Sequence, residues 1–194
     1  MPLTALDERV ALVVVDLQNG VRFAPATPYP AEDVIERAAA LAAAFREHHA
    51  LVVLVKAGAP DGADAVPGRT DVPRWTGAGL PAGWDDLADE LSGHPEDVIV
   101  TKRNWSAFYG TDLDLQLRRR GITQIVLAGL ATSVAVDTTA RAAHERGYHV
   151  TLATDAMTDV NHEAHVNSIV NIFPHLGETG TTAEILELLT KTRA

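Results

Sequence analysis

Five apolar runs recur along the chain, and what separates them decides the fold. They read RVALVVVD (9–16), ALVVLVK (50–56), DVIVTK (97–102), TQIVLAGL (123–130) and YHVTLATDA (148–156). Uninterrupted apolar runs of this length mark strands that are covered on both faces. Helical patterns lie between most of them. Val34, Ala38, Leu41 and Phe45 recur at i, i+4, i+7 and i+11. TDLDLQLRRRG follows the third run, with Thr111 as N-cap and Gly121 as stop. After the fourth run, a helix opened by Thr132 or Ser133 sets Val136, Ala140 and Ala143 on one face and ends at Gly147. A further helix is predicted near 161–172, then a short strand around 178–180 and a helix to Leu189. Parallel neighbours need such crossovers, and the crossovers are right-handed. The expected architecture is α/β: one domain over residues 1–194, a doubly wound, Rossmann-like parallel sheet of about six strands with helices on both faces.

Between the second and third runs the pattern changes. Residues 57–83 are rich in Gly, Pro and Asp without a clear period, and a loop that long in a compact domain is usually functional. WDDLADEL (84–91) is expected to form a short helix with acids near its start.

Composition narrows the chemistry. The chain has no cysteine, which removes disulfides, thiolate metal sites and thiol nucleophiles together. Its net charge is −10, and its one basic cluster, RRR at 118–120, lies at a helix end, where cations suit the dipole. Nucleic acid and membrane are therefore not expected partners; a small-molecule substrate is. The start, MPLTALDERV, has no basic segment followed by an apolar one, so the expected location is cytoplasmic.

In an open parallel sheet, ligands bind at the carboxyl ends of the strands. Those ends carry Asp16 and Gln18, Lys102, and the stretch from Gly129 to Ala135. Alone, Asp16 could cap a turn, and Lys102 could lay its stem on the sheet edge with its ammonium in water. Together, an acid and a base at two strand ends can share one crevice, where each shifts the other's pKa. Trp105, Phe108 and Tyr109 fall within five residues of one another, although the chain holds only ten aromatic side chains (four Phe, three Trp, three Tyr). They read equally as a core plug under a loop or as a wall that stacks on a cyclic substrate.

Three segments in order carry a resemblance. D-x-Q (Asp16, Gln18), T-K-R-x-x-x-A-F (Thr101 to Phe108) and G-L-A-T-S-V-A-V-D-T-T-A-R-x-A (from Gly129) resemble the isochorismatase-like, or cysteine, hydrolase superfamily over nearly the whole chain. The resemblance implies a parallel α/β fold. Most such enzymes hydrolyse amides with an Asp–Lys–Cys triad, which maps onto Asp16, Lys102 and Ala135. It also implies a cis peptide just before Ala131 or Thr132 that aims N–H groups near 131 and 135 into the pocket. The substrate-binding set is expected to be Gln18, Phe23, Arg69, Trp105, Phe108, Tyr109, Leu130, Ala131 and Thr132, with Arg22 or Arg103 assisting Arg69. The family often forms dimers or tetramers, so a homo-oligomer is expected.

Ala135 is the departure. A methyl cannot attack a carbonyl. Ser133 lies two positions away, about 200° around a helix axis, and Thr132 and Thr138 have no visible His base. Either the family cysteine has been replaced in an engineered amidohydrolase, or the chain belongs to a branch that lacks it. True isochorismatases resemble that branch and cleave an enol ether by acid catalysis. Asp16 would donate the proton, Lys102 would hold a carboxylate or the ether oxygen, and Ala135 would make room. The chain carries no tag, which favours the natural branch. A non-catalytic protein that keeps the pocket for binding is the third reading.

No cofactor and no metal are expected. Asp61, Asp64 and Asp71 in the long loop have no His beside them, and no phosphate-binding glycine motif occurs. His162 and His165 stand i, i+3 on a helix, where a solvated face is the expectation.

Overall fold

The computed structural model describes residues 3–58, 69–72, 79 and 81–193. Its six strands are β1 (Val10–Val15), β2 (Leu51–Ala57), β3 (Val98–Lys102), β4 (Gln124–Leu130), β5 (His149–Thr158) and β6 (Glu178–Gly180). They form one sheet in the order β3-β2-β1-β4-β5-β6, and every pairing is parallel. The helices are α1 (Ala31–Glu47), α2 (Leu113–Arg119), α3 (Asp137–Glu145), α4 (His162–Asn167), α5 (Phe173–Leu176) and α6 (Thr182–Arg193). Wider π turns, Thr132–Val136 and Ser168–Ile172, lead into α3 and α5.

β1 shows why the run had to be apolar throughout. Leu12 and Val14 pack on one side with Val34, Ala38, Leu41 and Phe45 of α1. Ala11, Val13 and Val15 pack on the other with Leu113, Leu117, Val136, Ala140 and Phe173. Alternate residues of a strand face opposite sides, so helices on both sides demand apolar residues at every position.

The sheet reverses its winding between β1 and β4, which makes their carboxyl ends the switch point. Here β4 approaches β1 closely. A Cβ on Gly129, whose φ is +129°, would lie 2.0 Å from the Val15 carbonyl oxygen. The β4–β5 register also shifts between Leu127 and Gly129, a bulge that re-aims the strand ends.

One expected element is absent. Residues 84–91 form turns, with Leu87 bridged to Gln18. The carbonyls a helix would use internally are taken by the 17–20 segment. Asp86 accepts from the Asn19 N–H at 2.9 Å, Trp84 from the Gly20 N–H at 2.8 Å, and Asp85 from the Gln18 amide at 2.7 Å. Among the described residues, no helix is long and apolar enough to cross a membrane.

Candidate active site

Asp16 follows β1 directly and adopts a left-handed backbone, φ +57°, with its N–H bonded to the Val55 carbonyl at 2.8 Å. That conformation is uncommon for a residue with a Cβ, and such residues concentrate at functional sites. Asp16 Oδ2 lies 2.8 Å from Lys102 Nζ. The lysine reaches it from the end of β3, two strands away, with only 4% of its surface exposed. A second contact anchors the ammonium, which donates to the Asn104 carbonyl at 3.1 Å. Asp16 Oδ1 is buried and, among the described residues, has no hydrogen-bond partner. Burial pushes the Asp16 carboxyl up to about 6, outweighing the downward pull of Lys102. The pair thus offers a carboxylic acid that holds its proton in mildly acidic water.

The segment after β4 leaves the sheet beside the end of β1. The Leu130–Ala131 peptide is cis, at the first of the two places expected. The Ala131 carbonyl then accepts from the Val134 and Val136 N–H groups at 3.2 and 3.1 Å. Ala135 is 4% exposed and belongs to the core cluster beneath α3. The neighbouring hydroxyls are engaged. Thr138 donates to the Val134 carbonyl, and Thr132 donates to the Thr158 carbonyl at 3.0 Å. Neither hydroxyl is set up as a nucleophile, and Thr132 holds the fold rather than facing a ligand.

Several expected ligand contacts sit elsewhere. Both ends of the Gln18 amide bond backbone: Nε2 donates to Ala57 and Asp85 carbonyls at 3.0 and 2.7 Å, and Oε1 accepts from the Ala57 N–H at 2.9 Å. Its role is to tie the β2 end to the 84–91 turns. Phe108 is 5% exposed, with its ring centroid 6.0 Å from that of Tyr148. It is the core plug. Trp105 and Tyr109 are 63% and 60% exposed and line an open cavity of about 380 Å³ with Asn104, Ser106 and Thr138. Asn104 links this cavity to the site, since its carbonyl holds Lys102. Leu130 is half-buried against the α1-side core, and Phe23 is exposed at the end of the Asn19–Phe23 turn. Arg22 is bound to Glu90 through both carboxylate oxygens, at 2.9 and 2.7 Å. Arg69 is exposed, beside residues 59–68, where Asp61 and Asp64 lie outside the described residues.

Two residues were not legible as site residues. Asp159, 1% exposed, accepts the Ser133 N–H at 2.7 Å through one oxygen and the Val160 and Asn161 N–H groups through the other, at 2.8 and 3.0 Å. His165 is 5% exposed rather than solvated, with Nδ1 2.9 Å from Thr132 Oγ1. A short carboxylate after a strand and a helical His carry no sequence signal beyond their positions; only the bulged end of β5 brings them to Thr132 and Ser133.

Known proteins share this plan. The model of a family described as Isochorismatase domain matches residues 10–184. An uncharacterized isochorismatase family protein of Bacillus subtilis (strain 168), YwoC, is 43% identical over 182 residues, 93% of this chain and 94% of its own. The solved structure of an isochorismatase family protein from Burkholderia thailandensis superposes with a TM-score of 0.90 at 44% identity, covering 96% of this chain and 98% of the other. A ureidoacrylate amidohydrolase, RutB, of Variovorax paradoxus (strain S110) is 30% identical over 210 residues, 95% of this chain and 83% of its own.

Proposed function

We propose a specific activity for a chain that belongs to the isochorismatase family of hydrolases: cofactor-free cleavage of an enol ether, or a similar bond, in a small cyclic carboxylate by proton transfer from Asp16. The observation that carries this reading is the Asp16 carboxyl, buried beside Lys102 with its pKa raised to about 6.

The chemistry closes without a nucleophilic side chain. The Asp16 carboxylic acid gives its proton to the vinylic CH2 carbon. Positive charge develops at the adjacent ether carbon as an oxocarbenium ion. Water adds there and returns a proton to the Asp16 carboxylate. The resulting hemiketal collapses to pyruvate and a ring alcohol, so one water is consumed and the acid is regenerated. Lys102 holds the substrate carboxylate or ether oxygen, and its charge stabilises the carboxylate that Asp16 becomes once it has given up its proton. Trp105 and Tyr109 offer faces to the ring. Ala135 leaves the space in which an attacking sulfur would stand.

The likeness to RutB favours a second reading. There the chain is an amidohydrolase whose cysteine has become Ala135, or a pseudoenzyme that binds without turnover. A cytoplasmic location and a homo-oligomer, a dimer or tetramer of one-domain chains, belong to the same proposal.

The test compares pyruvate release from isochorismate with ammonia release from ureidoacrylate, for the unaltered chain and for Asp16→Asn. Pyruvate release that Asp16→Asn lowers at least about a thousandfold supports proton donation by this carboxyl, a loss toward the upper end of general acid catalysis. Ammonia release by the unaltered chain, without pyruvate, overturns it.

A further inference from the structure

We propose that His165 is a positioning residue of this site: its Nδ1–H donates to Thr132 Oγ1, whose own hydroxyl donates to the Thr158 carbonyl, and this relay sets the turn that carries Ala135. The functional part rests on the reading above; the geometric part does not.

The directions follow from what each group can do. Thr132 Oγ1 lies 3.0 Å from the Thr158 carbonyl oxygen and 2.9 Å from His165 Nδ1. The hydroxyl has one proton and two acceptor sites. A carbonyl can only accept, whereas an imidazole can place its proton on either nitrogen. The hydroxyl proton therefore goes to Thr158, and Nδ1 carries the imidazole proton. Burial holds the His165 pKa below the ordinary imidazole range, opposed by the nearby Asp159 charge and helped by His162, so the ring is neutral. Thr132 is fully buried, and among the described residues its hydroxyl bonds only to these two groups.

The relay acts on one short segment. It begins at the residue after the cis peptide and spans the π turn Thr132–Val136. Asp159 grips the next residue by the Ser133 N–H, and Ser168 donates to Asp137 at 3.0 Å at the far end of the turn. Single π turns inside helices are frequent at functional sites, because the extra residue re-aims a side chain. Here the side chain so placed is the methyl of Ala135, beside the crevice. α4 thereby holds the position of the pocket wall through one hydrogen-bonded chain, although it contributes no group that touches substrate.

The experiment has two parts. Nitrogen-15 spectra of the unaltered chain are expected to show His165 protonated at Nδ1; an unprotonated Nδ1 overturns the relay. Backbone amide shifts of residues 132–136 are then compared in His165→Leu, Thr132→Val, the double variant and His165→Asn. Asn keeps a donor where Nδ1 stood. Both single variants are expected to move these amides, the double variant to move them no further than either, and His165→Asn to return them toward their original positions. Thr132→Val, which keeps the side-chain shape, serves if His165→Leu does not fold. With isochorismate, each single variant is expected to lower kcat about tenfold with KM within about threefold, as loss of an interaction made in the transition state does. Unmoved amides, or kcat losses that multiply in the double variant, overturn the relay. Absence of turnover by the unaltered chain removes the proposed function while the amide shifts still decide the relay.

Discussion

Raising the pH through 6 is expected to switch this site off. The Asp16 carboxyl ionises at about 6 in the folded chain, against an ordinary 3.8. That difference corresponds to about 3 kcal/mol of preference for the protonated form. The sign follows from a folded pKa above the unfolded one. The stabilisation is fully present below pH 3.8 and is lost as the pH climbs through 6. A proton donor follows the same curve. At about pH 8 only about 1% of the carboxyls retain the proton, so kcat/KM should fall about a hundredfold from its value near pH 5, with a slope of −1. The assay is pyruvate release from isochorismate, read through lactate dehydrogenase at constant ionic strength. Replacing Lys102 with Met removes the main downward pull on the carboxyl and should move the falling limb to higher pH. A profile that stays flat to pH 8, or that rises above pH 6, refutes proton donation by Asp16. A rising limb is what a site using the carboxylate as a base would give.

Three further outcomes follow from the packing and the site. Ala135→Cys places a thiol beneath α3 and is expected to introduce ammonia release from a small amide, sensitive to iodoacetamide; the unaltered chain should show none. Gly129→Ala forces a Cβ to within 2.0 Å of the Val15 carbonyl oxygen at a φ of +129°, so a loss above about 3 kcal/mol is expected, roughly 10 °C in Tm by calorimetry. Asp159→Ala leaves the Ser133, Val160 and Asn161 N–H groups without their carboxylate; a loss of about 2–3 kcal/mol in urea titration is expected, since the lost bonds are to a buried charged acceptor.

What the sequence made legible was whatever local periodicity and strand ends determine. β1 must be apolar at every residue because both its faces are covered, and that pattern is visible in the letters alone. Asp16 and Lys102 could be named because they close apolar runs. That they meet at 2.8 Å depends on the strand order, which brings the lysine across β2. Residues 84–91 looked helical, yet their carbonyls are claimed by the Gln18–Gly20 segment, a contact between distant parts of the chain. Gln18 misled in the complementary way: a polar residue at a strand end suggested a ligand contact, while its amide joins two loops. The three neighbouring aromatics divide by direction, Phe108 inward and Trp105 and Tyr109 outward, which spacing within a loop does not encode. His165 reads as part of a solvated face because periodicity says nothing of the Thr132–Val136 turn that packs against α4. Tertiary hydrogen bonds account for the differences at 84–91, Gln18 and His165.

The most direct measurement of the central claim is the fate of solvent oxygen when isochorismate is cleaved in oxygen-18 water. Protonation of the vinylic carbon by Asp16 leaves the ring–oxygen bond intact, so the dihydrodiol should carry no label. Label in the dihydrodiol would mean that water attacked the ring carbon instead, and the acid mechanism assigned to Asp16 and Lys102 would be wrong.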